Sequence, residues 1–150
     1  MLQHIEQLAA GKQLYSRIMH PVCQQYGLTQ AEMSVLLFLA DNPDQDTAAQ
    51  IVRYRHLTPS HVSLSVHTLE EKSLLICEHQ KADHRIVHLS LTEQAAPVVE
   101  AGRAAQAVFT QRLTDGFSEE EKQQLQALLT RVFDNCSRQL HEPEKHGSPI

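Results

Sequence analysis

Ser60, His61, Ser63, Leu64, His67 and Thr68 crowd into one short stretch of the chain. Hydroxyls and imidazoles dominate the set, and at helical spacing no acid joins their face before Glu71. Such groups recognise rather than catalyse. They donate and accept hydrogen bonds at base edges, they fit a major groove, and they do not repel phosphate. Downstream lies a second charged cluster, Lys81-Ala82-Asp83-His84-Arg85. Arg85 is the cation for a minor groove, with Asp83 two residues before it to orient the guanidinium and Lys81 and His84 beside it. Arg53, Arg55 and Lys72 are placed to touch the phosphate backbone. The plainer alternative for the second cluster is a surface hairpin with a polar turn.

The elements that must position these groups are readable. Thr58 is a good N-cap, and Pro59 suits the first helical position because its missing N–H would be unpaired there anyway. Val62, Val66 and Leu69 then form the inward face of a helix whose outward face is the polar set. Leu75 to Gln80 and Ile86 to Leu91 are strand-like, with Val87, Leu89 and Leu91 alternating against Ile86, His88 and Ser90. A helix, a turn, a second helix and a hairpin in direct succession from Thr47 to Leu91 predict a winged helix-turn-helix.

Around this lobe the pattern is helical. Leu2 to His20 is a helix carrying Leu8, Tyr15, Ile18 and Met19, and Pro21 is expected to bend or end it. Thr29 caps Gln30 to Ala40, which stops before Asn42-Pro43. Thr47 caps Ala48 to about Tyr54. Thr92 is expected to cap a long helix to about Leu113 with Gly102 inside it. Ser118 and Glu121 form a capping box for the last helix. That helix carries the apolar stripe Leu125, Leu128, Leu129, Val132, Phe133, Cys136 and Leu140. A lobe between Thr29 and Leu91 with its own core leaves three outer helices with wide apolar faces. A two-fold related copy is the commonest cover for such faces. The expected fold class is therefore mainly α with a small β-hairpin wing, one domain over 1–150. The winged helix-turn-helix lobe spans 29–91, dimerisation helices span 1–28 and 92–141, and the polar tail 142–150 is expected to be disordered.

Charge and composition narrow the function. The 150 residues carry a net charge of −5. Of the segments 1–52, 53–88 and 89–150, only 53–88 is not acidic: it holds Arg53, Arg55, Lys72, Lys81 and Arg85 against four acids. It also holds six of the ten histidines: His56, His61, His67, His79, His84 and His88. A protein this weakly basic at its contact face needs two copies on one duplex to hold DNA well. The acidic total keeps a rival open, a winged helix that binds protein and not DNA. The first twenty residues are too polar for a secretory leader, and no apolar run approaches the roughly 18 residues of a membrane span. Cys23, Cys77 and Cys136 are far apart and odd in number, which fits reduced thiols in the cytoplasm. Catalysis has no support: there is no glycine-rich phosphate loop or nucleophile elbow. Metal binding is not favoured either. His84 and His88 straddle a hairpin, His141 and His146 fall at the tail, and only His20, Cys23 and Glu32 have a chance of converging. No cofactor is expected.

Several short motifs carry a resemblance over nearly the whole chain. They are Tyr26-Gly27-Leu28-Thr29 before a helix, Leu69-Glu70-Glu71-Lys72-Ser73-Leu74-Leu75 closing the polar helix, Asp83-His84-Arg85 in the wing, and Leu91-Thr92-Glu93 opening the next helix. In this order and spacing the chain resembles the MarR family of bacterial transcriptional regulators. Ser73 departs from the pattern, standing where the family usually has glycine. The resemblance implies a homodimer joined through the terminal helices, a pseudo-palindromic operator, and most often repression. It also implies a small aromatic or phenolic effector in a crevice, for which His4, Leu8, Tyr15, Met33 and Phe38 are candidate lining, with core packing the plainer reading of each. Some relatives sense peroxide through a cysteine early in the first helix. Leu2 to Arg17 has none here, so a redox or metal response is only the alternative.

Overall fold

The computed structural model describes residues 2–55 and 57–141, and side chains from 7 to 140 within them. His4, His56, His141, His146 and the tail 142–150 therefore lie outside the described side chains. The order is α1 (Leu2–Tyr26), α2 (Gln30–Asp41), α3 (Ala48–Arg55), α4 (Pro59–Glu71), β1 (Leu75–His79), β2 (Val87–Leu91), a 3-10 turn (Glu93–Ala95), α5 (Ala96–Leu113) and α6 (Glu119–His141). The chain forms two compact units, 1–111 and 112–150.

The strands pair antiparallel, with Leu75 opposite Leu91 and His79 opposite Val87. The segment before α3 lies along the other edge of β2: Thr47 bridges His88, and the Leu89 N–H donates to the Asp46 carbonyl at 2.8 Å. His88 Nδ1 adds hydrogen bonds to the Asp46 carboxylate at 2.9 and 3.1 Å. The root of the hairpin is thus tied to the entrance of α3.

Pro21 does not end α1; the helix runs on to Tyr26. Proline lacks a donor and crowds the preceding turn, which costs about 3 kcal/mol in an isolated helix. Here Met19 and Cys23, on either side of it, are buried in the core, and that packing outweighs the local preference. Gly27 then turns the chain at φ 63. Thr29 caps α2 with a full capping box: its hydroxyl accepts from the Glu32 N–H, and the Glu32 carboxylate accepts from the Thr29 N–H, each at 3.1 Å.

The core of the first unit is centred on α2, whose Met33, Val35, Leu36, Leu37 and Phe38 are almost fully buried. Ile51 of α3, Val62 and Leu69 of α4, and Leu75 and Leu89 of the strands close around it. Met19 and Cys23 of α1 and Val98, Val99 and Ala105 of α5 belong to the same cluster. The lobe from Thr29 to Leu91 therefore does not have a core to itself, and two of the three outer helices help to complete it. Gly102 explains how close α5 comes: a Cβ there would sit 2.8 Å from Met33 Sδ and 3.1 Å from Leu37 Cδ2.

Thr92 does not cap α5. It precedes the 3-10 turn without a side-chain cap bond, and its hydroxyl donates instead to the Ser73 carbonyl at 2.7 Å. Ser118 and Glu121 form the expected capping box at the start of α6, at 2.7 and 3.2 Å. On α6 the stripe Leu128, Leu129, Val132, Phe133 and Leu140 is exposed, as is Cys136, and Leu125 is half-buried.

Candidate nucleic-acid interface

Helix α4, the candidate recognition helix, begins where its sequence requires. Thr58 accepts from the His61 N–H at 3.2 Å, and Pro59 opens the first turn. Val62 and Leu69 anchor the inner face at zero exposure, Val66 is half-buried, and Ser65 is buried with them. This leaves Ser60, His61, Ser63, Leu64 and His67 exposed along the outside. Leu64 is the apolar member, 64% exposed, and suits contact with a thymine methyl. Thr68 is half-buried and its hydroxyl donates back to the Leu64 carbonyl at 3.0 Å, so only its acceptor capacity faces outward. His67 is not isolated either: its Nε2 lies 3.4 Å from Glu71, one turn further on.

The wing tip is fastened. The Gln80 N–H donates to the Ile86 carbonyl at 3.0 Å, and the Ile86 N–H to the Asp83 carbonyl at 3.1 Å. His79 Nδ1 lies 3.2 Å from the His84 carbonyl, which requires an N–H at that ring position. Asp83 does not hold the Arg85 guanidinium. Its carboxylate accepts from the Arg85 backbone N–H at 3.0 Å, a local turn bond, because a carboxylate two residues back reaches the amide more easily than the end of a long side chain. The effect is to shape the loop rather than to aim the cation. Lys81, Asp83, His84 and Arg85 are all exposed.

Between the recognition helix, α3 and the hairpin lies an open groove of about 590 Å³. Ala48, Val52, Val66 and Leu89 line its floor, and Ser63, His67, Glu70, Cys77 and His79 also reach it. Ser63 and His67 are thus shared between the outer face of α4 and this groove. Cys77, Glu70 and His79 were not anticipated here; the alternation of Cys77 and His79 along β1 is the signal that would have found them. Burial and the neighbouring Glu70 push the Cys77 thiol up to about 11, and burial and Glu32 raise that of Cys23. Both therefore stay protonated near neutral pH, the opposite of a sensing thiolate. Among the described residues no cluster of three or more ligands is placed to hold a metal.

The three supporting cations divide. Arg53 is exposed, with its guanidinium 5.7 Å from the Tyr54 ring centroid. Arg55 is half-buried over Phe38 at 5.6 Å, which draws it towards the core and away from a phosphate. Lys72 is turned inward: its Nζ donates to the Gly27 carbonyl at 2.5 Å and lies 3.3 Å from Glu32 Oε2. The ammonium expected at the phosphate backbone is thus engaged, in the DNA-free chain, by a buried carboxylate of the protein itself. Nothing near Lys72 in sequence marks Glu32 as its partner, although Thr29-x-x-Glu32 has the capping-box spacing that places this acid in the first turn of α2.

Of the candidate effector lining, Met33, Phe38 and Tyr15 belong to or pack against the core cluster. Met33 and Phe38 are core residues, and Phe38 stacks on Tyr54 at 6.0 Å. Tyr15 packs edge-on against Phe109 at 5.2 Å and accepts from Gln106 at 3.4 Å, while Leu8 is exposed.

Comparison with known proteins decides the family. The MarR family model matches residues 26–86, from the end of α1 through the wing. The transcriptional regulator ZitR of Lactococcus lactis is 31% identical over 112 residues, 71% of this chain and 76% of ZitR. The chain belongs to the MarR family. It is a DNA-binding transcriptional regulator built on a winged helix-turn-helix. The HTH-type transcriptional repressor MdtR of Bacillus subtilis is 25% identical over 125 residues, covering 83% of this chain and 80% of MdtR. Among solved structures, BpsR of Bordetella bronchiseptica, whose DNA binding is regulated by 6-hydroxynicotinic acid, matches with a TM-score of 0.72. It shares 24% identity and covers 87% of this chain and 98% of BpsR.

Proposed function

We propose that this MarR-family chain is a homodimeric, effector-responsive repressor acting on a pseudo-palindromic operator. The observation that carries this is the pairing of an acid-poor, exposed outer face on a firmly capped α4 with a fastened wing tip that presents Arg85. Two copies would lay their α4 helices in successive major grooves and their wings on the flanking minor grooves. Ser60, His61, Ser63, Leu64, His67 and Thr68 read bases or nearby phosphates. Arg85 enters the minor groove, with Lys81 and His84 beside it, and Arg53 touches the backbone. The exposed apolar stripe of α6 supports the dimer, since Leu128, Leu129, Val132 and Phe133 need cover. Repression accords with the name of MdtR, and an aromatic acid as effector accords with BpsR. A regulator that meets chromosomal DNA works in the cytoplasm, and no helix among the described residues is long and apolar enough to cross a membrane.

The test is to recover the DNA fragments that the purified protein retains, then titrate one of them in a mobility shift with and without aromatic acids. The proposal expects a two-fold symmetric sequence, two chains per duplex, and release by at least one aromatic acid. Retention of unrelated fragments equally well would contradict it.

A further inference from the structure

Resting on DNA recognition by α4, we propose that Glu32 and Lys72 are positioning residues that set the angle of the recognition helix without touching DNA. The geometry converges on the C-terminal end of α4. Lys72 is its C-cap residue. Its ammonium bridges the Gly27 carbonyl, at the turn after α1, and the Glu32 carboxylate in the first turn of α2. Glu32 is 6% exposed, and its same Oε2 accepts from the Thr29 N–H. A carboxylate so buried needs a cation or equivalent donors, and Lys72 is the cation that meets it. The residue that follows is held from the other side. Ser73 sits at φ 58, and its carbonyl accepts from the Thr92 hydroxyl; the Thr92 N–H donates to the Leu74 carbonyl at 3.2 Å.

The end of the recognition helix is therefore clamped between the α1–α2 corner and the start of the segment leading into α5. The Tyr26 hydroxyl, donating to the Pro97 carbonyl at 3.5 Å, joins those two flanks to each other. A pair of side chains that fixes one end of α4 fixes where Ser60, His61 and Leu64 point at the other. A helix of this length turns a small change of angle into a displacement of its far end, and base-edge hydrogen bonds tolerate little displacement.

The clamp differs measurably from a phosphate contact. The variants are Glu32→Gln and Lys72→Met, in the full-length protein on a retained DNA fragment. Gln keeps the capping box and removes only the charge. If Lys72 served phosphate, Glu32→Gln would release it and tighten binding, and Lys72→Met would lower the salt slope by about 0.9. A clamp predicts the reverse. Each variant weakens binding about fivefold or more, the double variant is little worse than either single, and the salt slope stays unchanged. In the DNA-free protein, Glu32→Gln should speed hydrogen exchange of the Lys72, Ser73 and Leu74 amides, while light scattering finds the same assembly state. Tighter binding by Glu32→Gln, or a reduced slope in Lys72→Met, overturns the clamp. So does unchanged exchange at those amides. A wild-type protein that retains no DNA at any salt would sink the DNA reading, and the exchange measurement would then judge the clamp alone.

Discussion

Single residues at this interface carry separable tasks. Arg85 stands exposed on a tip whose shape is held by backbone bonds and by Asp83, not by the arginine side chain. Arg85→Ala should therefore leave the fold and the assembly state intact and weaken specific DNA binding by about 1–3 kcal/mol, read in a mobility-shift titration. An unaltered affinity would take the wing out of the interface. Ser73 carries the opposite kind of information. It holds a left-handed backbone at φ 58, where a Cβ is strained and glycine is not. Ser73→Gly should raise stability by about 0.5–1 kcal/mol, seen as a higher melting temperature, because relief of that strain exceeds the added chain entropy. A lower melting temperature would mean that the serine is not strained. Cys77, with its thiol pushed up to about 11 by burial and Glu70, should react roughly tenfold more slowly with iodoacetamide at pH 7.5 than a thiol of ordinary pKa, since its lower thiolate fraction is partly offset by greater nucleophilicity. The exposed Cys136 should label first by mass spectrometry. Rapid labelling of Cys77 would reopen redox sensing.

At the scale of elements, α4 and the wing place His61 and His84 outward. Histidine ordinarily titrates near pH 6.5, and a nearby phosphate favours the charged ring. A contact face that gains charge beside phosphate should bind DNA more tightly as pH falls from about 8 to 6. His67 has Glu71 at 3.4 Å, so the test falls on His61 and His84. Replacing both with Gln should flatten the dependence, and a wild-type affinity constant across that range would show that they act only as neutral hydrogen-bonders. The last helix, α6, makes a separate prediction. Leu128 and Val132 are exposed, so if α6 forms the proposed dimer seam, Leu128→Glu with Val132→Glu should break the dimer and abolish operator binding together, since carboxylates buried in an apolar seam would lack partners. A double variant that remains dimeric by light scattering would remove this stripe from the seam.

Across the whole molecule, what was legible in the chain followed local rules. Thr58-Pro59, Ser118 with Glu121, and the alternation Val87, Leu89, Leu91 report their own backbone, and α2, α3 and the two strands appear within a residue of the expected bounds. What was not legible depends on residues distant in sequence. Pro21 reads as a break until Met19 and Cys23 are seen to be buried. Lys72 reads as a phosphate contact until Glu32, forty positions away, is found beside it. Met33 and Phe38 suit a ligand crevice by type, but their place in the core is fixed by helices that pack from both ends of the chain. The exposure of the outer face of α4 and of the wing tip was readable because it depends on one helix and one turn.

Two copies of the chain, each weakly basic only over residues 53–88, should act together on one duplex. Fluorescence anisotropy of the full-length protein on a retained DNA fragment, against a scrambled one, tests it most directly when salt is raised from 50 to 200 mM. The account predicts a clear preference for the retained fragment, two chains per duplex, and an affinity that falls about a hundredfold or more, as expected when four or more phosphates are neutralised. Folded, dimeric protein that binds neither fragment at 50 mM salt, or binds both alike, would contradict it.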